Sequence, residues 1–346
     1  MLFTTMCAFI RCAAVLSILA LTACAGSVPQ GGPTPQYRPI AQSAALEDAF
    51  SVQHLYVSDR AARAVLRFVL NNGIPASAPD AVIGGFSNPH GVAVGPDHRL
   101  YVLDSGAHVL DIFAPAPASG AKPIRVLPIG HDTGLGLVAV DPSGNVYVGY
   151  ALVCTTEGFL CGYTDVYAPL DKGLHFLKRL NFGGGPGGSI MRSMSFDPAG
   201  AMVEETGEQN PFVFAKGSSN PYPIFCGAED DAGDVWGPVS GELFETDLGG
   251  NGRPPEVIVI PNYMSNSGTH CPNYSTITSE TVPITHPWAI ATNGKYVYIT
   301  DGYVKQVDSG TVLVFDPART GNQTPVAALD GAASQLRFPI GIAIGP

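Results

Sequence analysis

The feature that most narrows what this chain can fold into is an internal repeat. Pro89–Pro115 reads PHGVAVGPDHRLYVLDSGAHVLDIFAP, and three further stretches follow the same grammar. Leu135–Ala151 reads LGLVAVDPSGNVYVGYA and is followed by TDVYAP at Thr164–Pro169. Met191–Thr206 reads MRSMSFDPAGAMVEET, followed by FVFA at Phe212–Ala215. Pro287–Pro317 reads PWAIATNGKYVYITDGYVKQVDSGTVLVFDP. Each unit is an apolar strand, a Pro/Gly turn, an alternating strand that often ends in Asp, and a strand ending at Phe or Tyr. Turn residues between runs of period two make antiparallel hairpins. Self-similarity at this spacing marks an array of small supersecondary units.

Two partial units stand at the ends. Leu55–Asp59 (LYVSD) and Ala64–Val69 (AVLRFV) are later strands without a first, and Phe338–Pro346 (FPIGIAIGP) is a first strand without the later ones. Joined, they complete one unit, as a circular array needs, since an open one would leave edges unpaired. Unit starts fall at 89, 135, 191, 287 and 339, and the 96-residue interval from 191 to 287 holds two units averaging 48. The extra one spans roughly Gly233–Ile260 and matches the pattern poorly. The spacing predicts an all-β, six-bladed β-propeller of four-stranded antiparallel blades, with the strands near Tyr56 and Ile342 in one sheet.

Composition agrees. Gly 41 and Pro 30, with only 14% charged residues, disfavour helical bundles and doubly wound folds. Lys+Arg 18 against Asp+Glu 29 gives −11, which argues against phosphate backbones, so no nucleic-acid partner is expected.

The repeated strings resemble the NHL-repeat pattern P-x-G-[IV]-A-[VI]-D-x-x-G-x-[IV]-Y-V-x-D and are similar to lactonase and amidating-lyase propellers. Tyr150 and Thr206 depart from it where other units have Asp59, Asp104 and Asp301. The resemblance implies the fold; propellers host hydrolases, lyases, binders and scaffolds alike.

The first residues read as an export signal. Arg11 precedes an uncharged run, Cys12–Leu21, of signal-peptide length and too short to span a bilayer. Leu21-Thr22-Ala23-Cys24 resembles the bacterial lipobox, which implies acylation of Cys24 and removal of residues 1–23. An ordinary cleavage site with Cys24 incidental is the alternative. Residues 24–46, rich in Pro, Gly, Gln and Ser, form a flexible tether to a propeller domain at 47–346. The expected address is the cell envelope, outer membrane or cell surface, with the membrane reached through the N-terminal lipid only and the protein a monomer. After export Cys154, Cys161, Cys226 and Cys271 remain beside Cys24, an even set suited to disulfides. Cys154 with Cys161 is the natural hairpin tie, though three pairings exist. A four-thiolate zinc site is disfavoured by the absence of C-x-x-C.

Aligning the units puts His90, Gly136, Arg192, Trp288 and Ile340 at one position, just after that of Pro89. If these face the channel mouth, His90, Arg192 and Trp288 offer imidazole, guanidinium and indole to one ligand. Against this, Trp288 could cap the core and His90 bond a neighbouring loop. Asp59, Asp104 and Asp301 recur in separate units, so each is expected to serve its own turn rather than catalysis. Lactonase-type propellers imply a divalent cation on axial Glu, Asn and Asp, none of which occurs at the aligned position. Amidating-lyase propellers imply zinc on axial histidines, for which His90, His131 and His286 are the candidates. The acidic run Gly227–Asp234 lacks the alternating calcium-loop register and reads as a solvated insertion. Phe182–Gly188 (FGGGPGG) has no following Lys or helix and reads as a linker. With no complete catalytic set, the expectation is a binding or scaffold module for a protein, peptide or glycan, with no cofactor. The alternative is a zinc- or calcium-dependent hydrolase or lyase.

Overall fold

The computed structural model describes residues 52–130, 136–153, 160–181, 191–206, 209–214, 216, 222–223, 231–237, 242–249, 253–261, 274–302 and 310–346. All lie within Ser43–Pro346, one compact unit of the chain. Its strands form six small sheets. Consecutive sheets touch through their innermost strands, and the last touches the first, so the sheets stand as the blades of a closed β-propeller.

Blade 1 runs outward from Pro339–Gly345 through Gln53–Asp59 to Ala64–Asn71, where Ile74–Pro75 and Ala81–Gly84 pair with different ends of the third strand. Blade 2 is Pro89–Val94, Leu100–Asp104, Val109–Phe113 and Arg125–Pro128. Blade 3 is Leu137–Val140, Val146–Val153, Leu160–Tyr167 and Phe176–Asn181. Blade 4 is Met191–Phe196, Met202–Thr206, Gln209–Phe214 and Tyr222–Pro223. Blade 5 is Asp231–Trp236, Leu243–Asp247, Glu256–Ile260 and Ser275–Thr278, with Gly321–Asn322 added in parallel. Blade 6 is Pro287–Thr292, Val297–Asp301, Thr311–Phe315 and Ala327–Leu329.

The expected closure is present: Tyr56 lies opposite Ala343 and Val57 opposite Ile342. The fifth unit has a better-formed core than its sequence suggested. Leu243–Asp247 (LFETD) repeats LYVSD, with Asp247 where Asp59 stands. Of the acidic run, Asp231–Asp234 differ from the expected insertion, because Asp231–Trp236 is the inner strand of blade 5, with Asp231 opposite Asp247; Gly227–Asp230 lie outside the described residues. Backbone pairing recruits this segment although it carries two aspartates, Asp231 and Asp234.

Alternation along each strand sends side chains to both faces of a blade, so the core is a set of apolar wedges between blades. Leu55, Val57 and Phe68 meet Tyr298 and Val312 between blades 1 and 6. Tyr56, Val65 and Ile83 meet Leu100, Val102 and Phe113 between blades 1 and 2. Leu103 and Leu110 meet Val146 and Val148 between blades 2 and 3. Val166 and Leu180 meet Met202 and Phe214 between blades 3 and 4, and Phe244 and Val257 meet Ile299 and Phe315 between blades 5 and 6. Among the described residues no helix is long and apolar enough to cross a membrane.

Candidate functional site

The position singled out by aligning the units has a common backbone geometry. Pro89 pairs with Asp104 but the next pair is Val92 with Val102, so the inner strand bulges at His90–Gly91. The same break falls at Arg192 (Met191–Thr206, then Ser193–Glu205), at Ala232 (Asp231–Asp247, then Gly233–Thr246) and at Trp288 (Pro287–Asp301, then Ala289–Thr300). In blade 1 the shift brackets Ile340, between Pro339 and Gly341. A bulge leaves its extra residue out of the ladder and re-aims the side chain, which is why bulges gather beside binding and active sites.

Backbone groups freed by the bulge in blade 2 turn to neighbouring blades. The Gly91 N–H donates to the Gly136 carbonyl of blade 3 at 3.1 Å, and the Ser58 hydroxyl of blade 1 donates to the His90 carbonyl. In blade 6 the Thr300 hydroxyl accepts from the Ala289 N–H at 3.0 Å. Close approach around the axis requires a small residue after the bulge: a Cβ on Gly91 would lie 2.7 Å from the Val138 nitrogen.

The recurring aspartates are held by backbone. Asp104 accepts the N–H groups of Ser87 at 2.7 Å and Asn88 at 2.8 Å, the last two donors before Pro89. Asp59 accepts those of Arg337 at 2.6 Å and Phe338 at 2.9 Å, immediately before Pro339. Asp301 accepts those of Thr285 at 2.9 Å and His286, immediately before Pro287. Each carboxylate thus clasps the crossover entering its own blade, and proline, which has no N–H, starts the strand. Asp59 and Asp104 also accept from Ala62 and Ala107 in the following turn. Asp247 accepts from the Gly249 N–H at 2.7 Å and pairs with Arg253 at 3.1 Å.

His90 is 7% exposed, and neither ring nitrogen has a hydrogen-bond partner among the described residues. Burial pushes its pKa down to about 4, the charge of Arg60 adding to the shift and the Gly136 carbonyl opposing it. The imidazole is therefore neutral at pH 7. Arg192 is half-buried. Trp288 is half-buried; its indole N–H donates to the Gly302 carbonyl at 2.8 Å and its ring stands edge-on to Phe338 at 5.8 Å. His286 stands two residues before the bulge, in the clasp, and its carbonyl accepts from the Gly302 N–H at 3.1 Å. Cys161 is buried in blade 3 opposite Leu152. His131, Cys24, Cys154, Cys226, Cys271 and Phe182–Gly188 lie outside the described residues. Among the described residues no three or more His, Cys, Asp or Glu side chains are grouped to hold a metal ion.

Sequence reasoning found the bulge position but not its backbone cause, which is visible only in strand register. It also passed over Glu204 and Glu245, fully buried where other units have Val or Ile. Their signal was the alignment itself: a charged residue at an otherwise aliphatic strand position.

With this geometry the chain is a six-bladed β-propeller. The family model described as NHL repeat matches residues 86–113, the first three strands of blade 2 with the segment entering them. A comparison with curated proteins found no match. Among solved structures, the chain is similar to a candidate 6-phosphogluconolactonase from Bacteroides fragilis, with 13% identity and a TM-score of 0.56 over 87% of this chain and 99% of that one. It is also similar to TolB from Acinetobacter baumannii, with 12% identity and a TM-score of 0.52 over 85% of this chain and 66% of that one. At these identities the likeness is one of fold.

Proposed function

We propose that this chain is an exported, lipid-anchored propeller that binds a protein, peptide or glycan ligand at the bulged ends of its inner strands. The observation that carries the reading is a contrast between two repeated positions. In blades 1, 2 and 6 the clasp position holds the same residue, Asp59, Asp104 and Asp301, and each carboxylate accepts the two backbone N–H groups before a proline. The bulge position keeps one backbone geometry and varies in chemistry, with His90, Arg192, Trp288 and Ile340. A residue type that repeats serves the blade; side chains that differ on a repeated bulge are the candidates to serve a ligand. Arg192 would clamp a carboxylate, Trp288 would offer a ring face, and His90 would supply a neutral donor and acceptor.

The test uses the full chain carrying Cys24→Ser, probed on glycan and peptide arrays. The parent is expected to retain a discrete ligand set that the Arg192→Ala and Trp288→Ala variants lose while keeping their thermal midpoints. Binding unchanged in both variants overturns the axial reading. Elemental analysis of the same protein bears on the hydrolase or lyase alternative, since stoichiometric zinc or calcium would replace the non-enzymatic reading with that one. Cys24→Ser is itself expected to move the protein from the membrane to the soluble fraction, and unchanged retention defeats the lipid anchor. Pairing of Cys154 with Cys161 and of Cys226 with Cys271 is part of the same exported reading, and a non-reducing peptide map checks it.

A further inference from the structure

Four blades place an aliphatic residue in the middle of the second strand: Val57, Val102, Val148 and Ile299, all buried. Blades 4 and 5 place Glu204 and Glu245 there, each 0% exposed. Glu204 leaves its blade on the side of blade 3. Met202, two residues before it on the same face, packs with Val166 and Leu180, and the Thr164 hydroxyl of blade 3 donates to the Glu204 Oε1 at 3.3 Å. Thr164 stands opposite Gly149, whereas the equivalent pair in blade 2 is Leu103 and Leu110. A hydroxyl and a hydrogen atom therefore leave room for the carboxyl. Oε2 has no hydrogen-bond partner among the described residues.

An ionised carboxylate in such a place would carry one weak hydrogen bond and no counter-charge, which is costly. We propose that Glu204 makes the seam between blades 3 and 4 a proton-operated joint, tight while the carboxyl is neutral and weakened when it ionises. Burial lifts the carboxyl well above the usual range for Glu, and only the Thr164 hydrogen bond works against that. Met194 and Met202 from its own blade and Thr164, Val166 and Tyr147 from blade 3 line this seam; none of them is charged, and the Tyr147 phenol, which burial and Asp141 push up, keeps its proton across the range. The direction follows from linkage. The folded chain keeps this proton above pH 4.5, where an unfolded Glu sheds it, so the seam is fully stable below 4.5 and loses stability as pH climbs through the raised value. Met194, opposite Glu204, is two residues from the bulge at Arg192, so the joint lies on the strand that carries the candidate ligand group.

The experiment follows the thermal midpoint of the full chain from about pH 5 to pH 9 in the wild type, Glu204→Gln and Glu204→Val. The wild type is expected to lose about 5 °C more than either variant across that range. Infrared difference spectra should show a protonated-carboxyl C=O band at neutral pH in the wild type that Glu204→Gln lacks. Equal pH slopes in the three proteins overturn the proposal. If neither variant folds, the wild-type band decides: its loss on raising the pH supports the joint, and its absence at neutral pH overturns it.

Discussion

Val57 stands directly opposite Ile342 in blade 1, so two segments from the far ends of the described chain share one set of ladder hydrogen bonds. Both are buried, in the wedge that also takes Tyr298 and Val312 of blade 6. Ring closure therefore depends on the segment Pro339–Gly345, without which Gln53–Asp59 would present a bare edge to the axis. Ile342→Ala is expected to cost about 2–4 kcal/mol through the cavity it leaves. Deleting Pro339–Gly345 should remove the cooperative transition altogether. Denaturant unfolding followed by circular dichroism checks both.

The clasp makes a second prediction. Asp104→Ala strips the acceptor from the Ser87 and Asn88 N–H groups. A loss of about 2 kcal/mol is expected. The same substitution at an exposed carboxylate such as Glu280 should stay within about 0.5 kcal/mol. Chemical denaturation of the two variants side by side distinguishes the clasp from a general effect of charge.

His90 sets an acid limit. Its folded-state value of about 4 lies below the 6.5 of an unfolded histidine, so between these the unfolded chain binds the extra proton. Stability is fully present above 6.5 and falls as the solution is acidified toward 4, by about 3 kcal/mol for a shift of this size. His90→Gln should flatten that part of the curve. Urea midpoints measured between pH 7 and 4 test it, and an unchanged slope in the variant would mean that other groups carry the acid response.

Gly91 fixes the distance between blades 2 and 3. A methyl group there would lie 2.7 Å from the Val138 nitrogen and 3.0 Å from the Gly136 oxygen, both backbone atoms that cannot rotate away. Gly91→Ala is expected to cost about 2 kcal/mol or more. Faster exchange of the residue-91 amide, whose bond to the Gly136 carbonyl would stretch, should accompany it. Protection unchanged from the wild type would show that the axis has slack.

The architecture was legible because a propeller states each blade separately in the sequence. Strings such as LYVSD and FPIGIAIGP carry strand period, turn and closure together. Blade 5 was faint for a physical reason: Ile260 ends its third strand in place of Phe or Tyr, and its inner strand begins with Asp231, so the surrounding sheet rather than side-chain hydropathy defines it. The structural role of Asp59, Asp104 and Asp301 could be inferred from their recurrence, but not that each reaches the two N–H groups before a proline. That depends on how the crossover folds back, which no local pattern encodes. The burial of Glu204 was hidden for a similar reason, since it follows from Gly149 and Thr164 on another blade.

Because blade 1 takes its innermost strand from Pro339–Gly345, the earliest part of the described fold to leave the ribosome cannot settle until the latest has been made. The same topology that closes the finished ring delays its completion until Pro339–Gly345 has been made.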